Sequence, residues 1–132
     1  MQEIQDLRER VLFFFRTLQD PAIASVYLYG SRVEGFAGPS SDLDVGLVLC
    51  PGQNFGLKKL LGMMVDLDAE IRPVICDLRI LNDMPLHVIY PIMKRAQLLD
   101  VYDEKTDASF RETLILKYFD FKPIIEEFYR AI

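Results

Sequence analysis

Two aspartates one residue apart, Asp42 and Asp44, open the apolar run Asp42-Leu43-Asp44-Val45-Gly46-Leu47-Val48-Leu49. On a strand, residues two apart project from the same face, so both carboxylates point one way while Leu43 and Val45 turn to the core. Neighbouring carboxylates repel unless a cation lies between them. Hard oxygen donors of this kind suit Mg²⁺, which takes one or two carboxylates together with substrate phosphates. A third carboxylate, Asp77, stands in Pro73-Val74-Ile75-Cys76-Asp77-Leu78-Arg79-Ile80. A charge amid apolar neighbours on an interior strand is costly unless it is paired, hydrogen-bonded or metal-bound. Placed beside the Asp42 strand, Asp77 completes a site able to hold two Mg²⁺ ions, one for the attacking oxygen and one for the leaving group. The structural alternative for Asp77 is an ion pair with Arg72 or Arg79.

Gly30-Ser31 supplies the complementary half, with ten residues between Ser31 and Asp42. Glycine lets the backbone approach a ligand closely. A serine that caps a short helix offers its hydroxyl and backbone N–H groups to a phosphate. Arg32 either adds a cation for a triphosphate or pairs with Glu34, and the residues alone do not choose. Asp66-Leu67-Asp68 repeats the Asp-x-Asp spacing, but it falls mid-helix, where residues two apart face different directions. No Gly-Ser precedes it, and it reads as a solvated helix face.

The elements that must position these groups follow from periodicity. Ile4, Leu7, Val11, Phe14, Phe15 and Leu18 predict a helix over 2–18, ended by Asp20-Pro21. Strands are predicted over 24–29, 42–50, 74–81 and 97–102. The short helix after Gly30 runs to about Phe36, and Gly38-Pro39-Ser40-Ser41 is a turn. A helix over 55–71 presents Leu57, Leu60, Leu61, Met64, Leu67 and Ile71 on one side. Another helix is expected over 85–94. The tail from 104 to 132 reads as helical, with Pro123 kinking or dividing it. Strands mixed with helices, without linker or repeat, predict an α/β (α+β) fold in one domain over 1–132, a small mixed sheet flanked by helices.

Composition bounds the function classes. With 15 Lys and Arg against 20 Asp and Glu, the net charge of −5 argues against a domain whose task is to grip a nucleic-acid backbone. It does not exclude ATP, because Mg²⁺ mediates between carboxylates and phosphates. The opening residues lack a charged-then-apolar signal, and the apolar runs fall far short of the ~20 residues of a membrane helix. A cytoplasmic protein is the expectation. Cys50 and Cys76 lack metal-ligand spacing and read as buried free thiols of a reducing compartment. His87, the one histidine, cannot build a histidine metal site and reads as structural or surface. Phe13, Phe14 and Phe15, with Phe110, Tyr118, Phe119, Phe121, Phe128 and Tyr129, cannot all face one core. They either pack the terminal helices together or form an interface patch that would serve a partner or self-association.

Gly30-Ser31, ten residues, then Asp42-x-Asp44 resembles the signature of the DNA-polymerase-β-like nucleotidyltransferase superfamily. The stretch GSRVEGFAGPSSDLDVGLVL is similar to its minimal nucleotidyltransferase (MNT) branch. Asp77 matches the third carboxylate of that pattern. The tail Leu116-Lys117-Tyr118-Phe119-Asp120-Phe121-Lys122-Pro123 resembles the C-terminal helix of MNT proteins paired with HEPN-domain partners. The resemblance implies a mixed sheet with flanking helices, ATP as substrate with Mg²⁺, and transfer of AMP to an acceptor hydroxyl. It implies Asp42, Asp44 and Asp77 as catalytic metal ligands, with Gly30, Ser31, Arg32, Asp42 and Asp44 around the nucleotide. MNT members commonly act as antitoxins that adenylylate a tyrosine of a HEPN ribonuclease. Glu34 departs from the basic or small residue frequent there. A non-catalytic antitoxin that neutralises by contact and a small-molecule nucleotidyltransferase are the alternatives.

Overall fold

The structure, a computed structural model, describes residues 2–35, 38 and 41–131. Its elements follow the chain as helix α1 (Gln2–Leu18), strand β1 (Ile23–Tyr29), a one-turn helix α2 (Ser31–Glu34) and strand β2 (Leu43–Leu49). Helix α3 (Leu57–Ile71), strand β3 (Cys76–Ile80), helix α4 (Leu86–Arg95), strand β4 (Gln97–Val101) and helix α5 (Glu104–Ala131) complete it. The expected helix end at Phe36 and the Pro39-Ser40 part of the turn lie outside the described residues.

The four strands form one sheet in the order β3-β2-β1-β4. β1 is antiparallel to both β2 and β4, whereas β2 and β3 are parallel and joined through α3. The expected mixed sheet is therefore present. Its two faces are covered by different helices. On one, Leu43, Val45 and Leu47 of β2 meet Leu7, Val11 and Phe15 of α1 and Met63, Leu67 and Ile71 of α3. Each such fully buried side chain is worth about 1.5–3 kcal/mol. Arg10 of α1 also donates to the carbonyls of Glu70 and Arg72, at 3.0 and 2.9 Å. These bonds serve carbonyls at the end of α3 that lack a helical partner. On the other face, Tyr27, Tyr29 and Val48 meet Leu81, Ile89 of α4 and Leu114 of α5.

Three expectations are corrected. Leu57 and Leu61 are exposed, and α3 buries Met63 instead, because its inward stripe is rotated by about one position. The first and last helices do not pack together, since they lie on opposite faces of the sheet. Pro123 does not divide the tail: α5 continues through it to Ala131. Proline removes one helical hydrogen bond, here to the Phe119 carbonyl, and Phe119 is exposed, so water can serve that carbonyl.

α5 is held at only one end. Ser25 Oγ and Tyr27 Oη each donate to Asp107 Oδ1 at 2.6 Å, and Arg111 Nε donates to Asp107 Oδ2 at 3.1 Å. Tyr118 stacks on Tyr90 of α4 with ring centroids 3.6 Å apart. Beyond that stack, the row Phe110, Leu114, Tyr118 continues at helical spacing as Phe121, Ile125 and Phe128. Phe121 and Phe128 are 48% and 64% exposed.

Candidate active site

The pairing register brings the acidic residues together. Tyr29 of β1 stands opposite Asp44 of β2, and Asp44 stands opposite Asp77 of β3. Directly paired residues share a face, so the Tyr29 ring and both carboxylates lie on the face that carries α4 and α5. Asp42 lies one residue before β2, exposed. It bears on Asp44, whose carboxyl is held above the ordinary carboxylate range by burial first, then by the charges of Asp77 and Asp42. Leu43 and Val45 are fully buried on the opposite face, as the alternation requires.

Gly30 ends β1 with φ at 84°, where other residues are strained. A Cβ there would collide with the Asp44 carboxylate. The close approach that glycine permits is thus to an aspartate of the site itself. Ser31 is the first residue of α2 and not its cap, because Gly30 occupies the cap position. Gly35 closes the turn in left-handed conformation, donating to the Ser31 carbonyl. Arg32 bonds the carboxylate of Glu3 and the carbonyl of Ser41. Glu34, its expected rival partner, pairs with Arg95 at 3.1 Å. Ser41 fixes the entry to β2 by donating to the Gly38 carbonyl at 3.2 Å.

Asp77 is engaged by Arg79 on its own strand. Nη2 lies 3.1 Å from Oδ2 and Nε 3.4 Å from Oδ1. Arg72 takes no part in this pair. Among the described residues, no group of three or more His, Cys, Asp or Glu side chains is arranged to hold a metal ion as it stands. The donor set nevertheless fits a divalent cation. Asp44 is a half-buried carboxylate facing two others, and it has no ion-pair partner among the described residues. A cation relieves that repulsion directly.

The sequence reading overlooked Tyr29. Its hydroxyl is buried and has no hydrogen-bond partner among the described residues. Burial, followed by the charge of Asp44, raises its pKa to about 12. The available signal was a tyrosine just before Gly-Ser, last in the alternating row Ser25, Tyr27, Tyr29. The second Asp-x-Asp also differs from expectation. Asp66 is exposed, but Asp68 accepts from the Cys76 N–H at 2.7 Å and so pins the start of β3. Cys76 is buried, Cys50 half-buried and both are free, while His87 is exposed on α4.

A cavity of about 1070 Å³ lies elsewhere, lined by residues such as Cys50, Asn82, Thr106, Phe110 and Lys117. Size alone would favour it, but none of the three acids lines it. Its Asn82 is already bonded to both backbone groups of Leu49. The unbalanced charges around Asp44 are the stronger chemical indication.

A family model described as nucleotidyltransferase domain matches residues 5–99. No match was found among curated proteins. Several solved structures are similar. One, a toxin–antitoxin with AMP-PNP, aligns at TM-score 0.73 and 17% identity over 92% of this chain and 98% of that one. A structure of tri-AMPylated Shewanella oneidensis HEPN toxin in complex with MNT antitoxin aligns at 0.68 and 16% identity, over 95% and 98%. A third, also from Shewanella oneidensis, aligns at 0.66 and 14%, over 93% and 96%. At such identities the likeness is one of fold.

Proposed function

Because the chain belongs to the nucleotidyltransferase-domain family, we propose that it transfers AMP from ATP to an acceptor hydroxyl at Asp42, Asp44 and Asp77. The observation that carries this reading is the register of Asp44 against Asp77 on adjacent parallel strands, with Asp42 close enough to act on the same carboxyl. The acceptor oxygen bonds to the α-phosphorus in line with the departing pyrophosphate, and the bond between the α-phosphorus and the bridging oxygen breaks. Mg²⁺, two ions in this reading, supplies neutralisation of the developing charge and activation of the attacking oxygen. Asp42 and Asp44 would hold both ions, and Asp77 would hold the one nearest the nucleophile and help take its proton. Gly30, Ser31 and Arg32 line the nucleotide from the β1–α2 turn. Catalysis then rests on positioning and electrostatics, as in other phosphoryl chemistry.

The acceptor is a tyrosine of a HEPN ribonuclease, and the protein acts as its antitoxin in the cytoplasm. The similar chains from toxin–antitoxin structures support this, one of them with an AMPylated HEPN toxin. Among the described residues, no helix is long and apolar enough to cross a membrane. The free half of α5, with Phe121, Ile124 and Phe128 exposed, is the surface that such a partner covers.

That same surface favours a second reading, an antitoxin that works by contact alone. Intact-mass analysis of the partner after incubation with this protein, ATP and Mg²⁺ separates the two. Added AMP that disappears with the Asp42→Asn, Asp44→Asn double variant is the expected result. Neutralisation without added mass would make the fold a binding module. Light scattering of the protein alone tests whether the helix instead pairs with a second copy.

A further inference from the structure

Arg79 has a position that a simple surface ion pair does not explain. It lies on β3, the edge strand, two residues from Asp77 and on the same face. Its guanidinium meets both oxygens of Asp77. Those are the oxygens a divalent cation would need. The same charge also acts on Asp44, lowering its affinity for a proton against the opposing effects of burial and of Asp77 and Asp42. One guanidinium therefore serves two carboxylates.

Little else holds Arg79 in place. Its side chain is 55% exposed, and Asp77 is its only side-chain partner among the described residues. The residue paired with it on β2 is Gly46, and the space over that glycine is taken by the Leu81 side chain. The contrast with Arg111 is informative. That arginine also pairs with an aspartate, but its Asp107 is almost fully buried and shared with two hydroxyls, so the arrangement is fixed.

We propose that Arg79 is the resident counter-ion of the acidic cluster and competes with the divalent cation for Asp77, setting how much metal the site needs before it fills. The inference rests on reading the carboxylates as metal ligands. Without metal, the guanidinium stands where positive charge is required and limits repulsion between Asp44 and Asp77. When the cation enters, the half-exposed Arg79 side chain turns outward into solvent. Arg79 is a positioning residue in this scheme, acting through Asp77.

The test is Mn²⁺ binding to the nucleotide-free protein, followed by the loss of the free-ion paramagnetic resonance signal. Arg79→Gln should bind Mn²⁺ about fivefold more tightly than the wild type, the upper range for release of an exposed ion pair. Arg79→Lys, which keeps the charge without the planar fork, should fall between them. In an Asp77→Asn background the Arg79→Gln effect should shrink to the smaller part that its charge exerts on Asp44, since the direct competition is for Asp77. Unchanged or weaker binding by Arg79→Gln, or an effect that persists undiminished without Asp77, overturns the proposal. If wild type and Asp44→Asn bind Mn²⁺ alike, the metal assignment itself fails, and the role of Arg79 falls with it. If Asp44→Asn loses binding while Arg79→Gln matches wild type, only the role of Arg79 falls.

Discussion

Along one face of the sheet β1 carries Ser25, Tyr27 and Tyr29 in succession, and the two ends of this row meet carboxylates in opposite ways. At one end, Asp107 is 4% exposed and receives two hydroxyls and an arginine. A buried charge satisfied in this manner fixes the docking of α5 in a single arrangement. At the other end, Asp44 faces Asp77 and Asp42, and the Tyr29 hydroxyl on the same face has no hydrogen-bond partner among the described residues. Similar chemical groups on one sheet thus form a lock at one end and an unbalanced charge cluster at the other. Unrelieved strain of the second kind marks a place where a ligand completes the structure.

The contrast predicts opposite responses to removing one carboxylate. The largest effect is on activity. Asp44→Asn should lower AMP transfer by about a thousandfold or more, the scale of losing a preorganised electrostatic contact, measured by labelled-nucleotide incorporation. The same variant should be more stable than wild type near neutral pH without metal. The folded-state pKa of Asp44 is raised, so its favourable contribution is complete only below the unfolded value and is lost as pH rises through the folded one. The stabilisation by Asn should therefore shrink as the pH falls toward the ordinary carboxylate range, and thermal unfolding across pH reads it. A variant less stable than wild type at neutral pH would erase the distinction between the two ends.

Asp107→Ala should behave in reverse, losing about 3 kcal/mol in urea unfolding because two buried hydroxyls lose their acceptor. Transfer per folded molecule should change little, as Asp107 is not at the acidic site. Gly30→Ala tests the open end through the backbone. A positive φ combined with an extended ψ, open essentially to glycine alone, and a collision with Asp44 should cost about 1–3 kcal/mol or more, together with most of the activity. The smallest effect belongs to Tyr29→Phe. Removing an unpaired buried hydroxyl should leave stability unchanged or raise it by up to about 1 kcal/mol. A clear loss would show that the hydroxyl has a partner after all.

The two ends also differed in how much of them could be read from the sequence. Asp42, Asp44 and the Gly-Ser were legible because their spacing is local and strand alternation converts it directly into geometry. Asp77 required one further assumption, that its strand lies next to β2, and the register bears that out. The Asp107 lock was invisible. It joins residues 80 and 82 positions apart, and neither Ser25-x-Tyr27 nor the Asp107–Arg111 spacing is distinctive alone. Apolar counting failed in α3 for a related reason. Leu57 and Leu61 are as hydrophobic as Leu67, and only the packed sheet decides which leucines are covered. The sheet and its helices were therefore foreseeable, while the pairing of distant polar groups was not.

The parallel pairing of β2 with β3 has a consequence for durability. The main-chain separation of Asp44 from Asp77 is that of neighbouring strands, about 4.8 Å, and is maintained by peptide hydrogen bonds and not by a loop. Warming, or sequence drift in the surrounding turns, cannot spread the two residues gradually. Their spacing is a ruler that either stands or is lost when the strands part, so competence at this site should end abruptly, at the same temperature at which the amides between those strands begin to exchange with solvent.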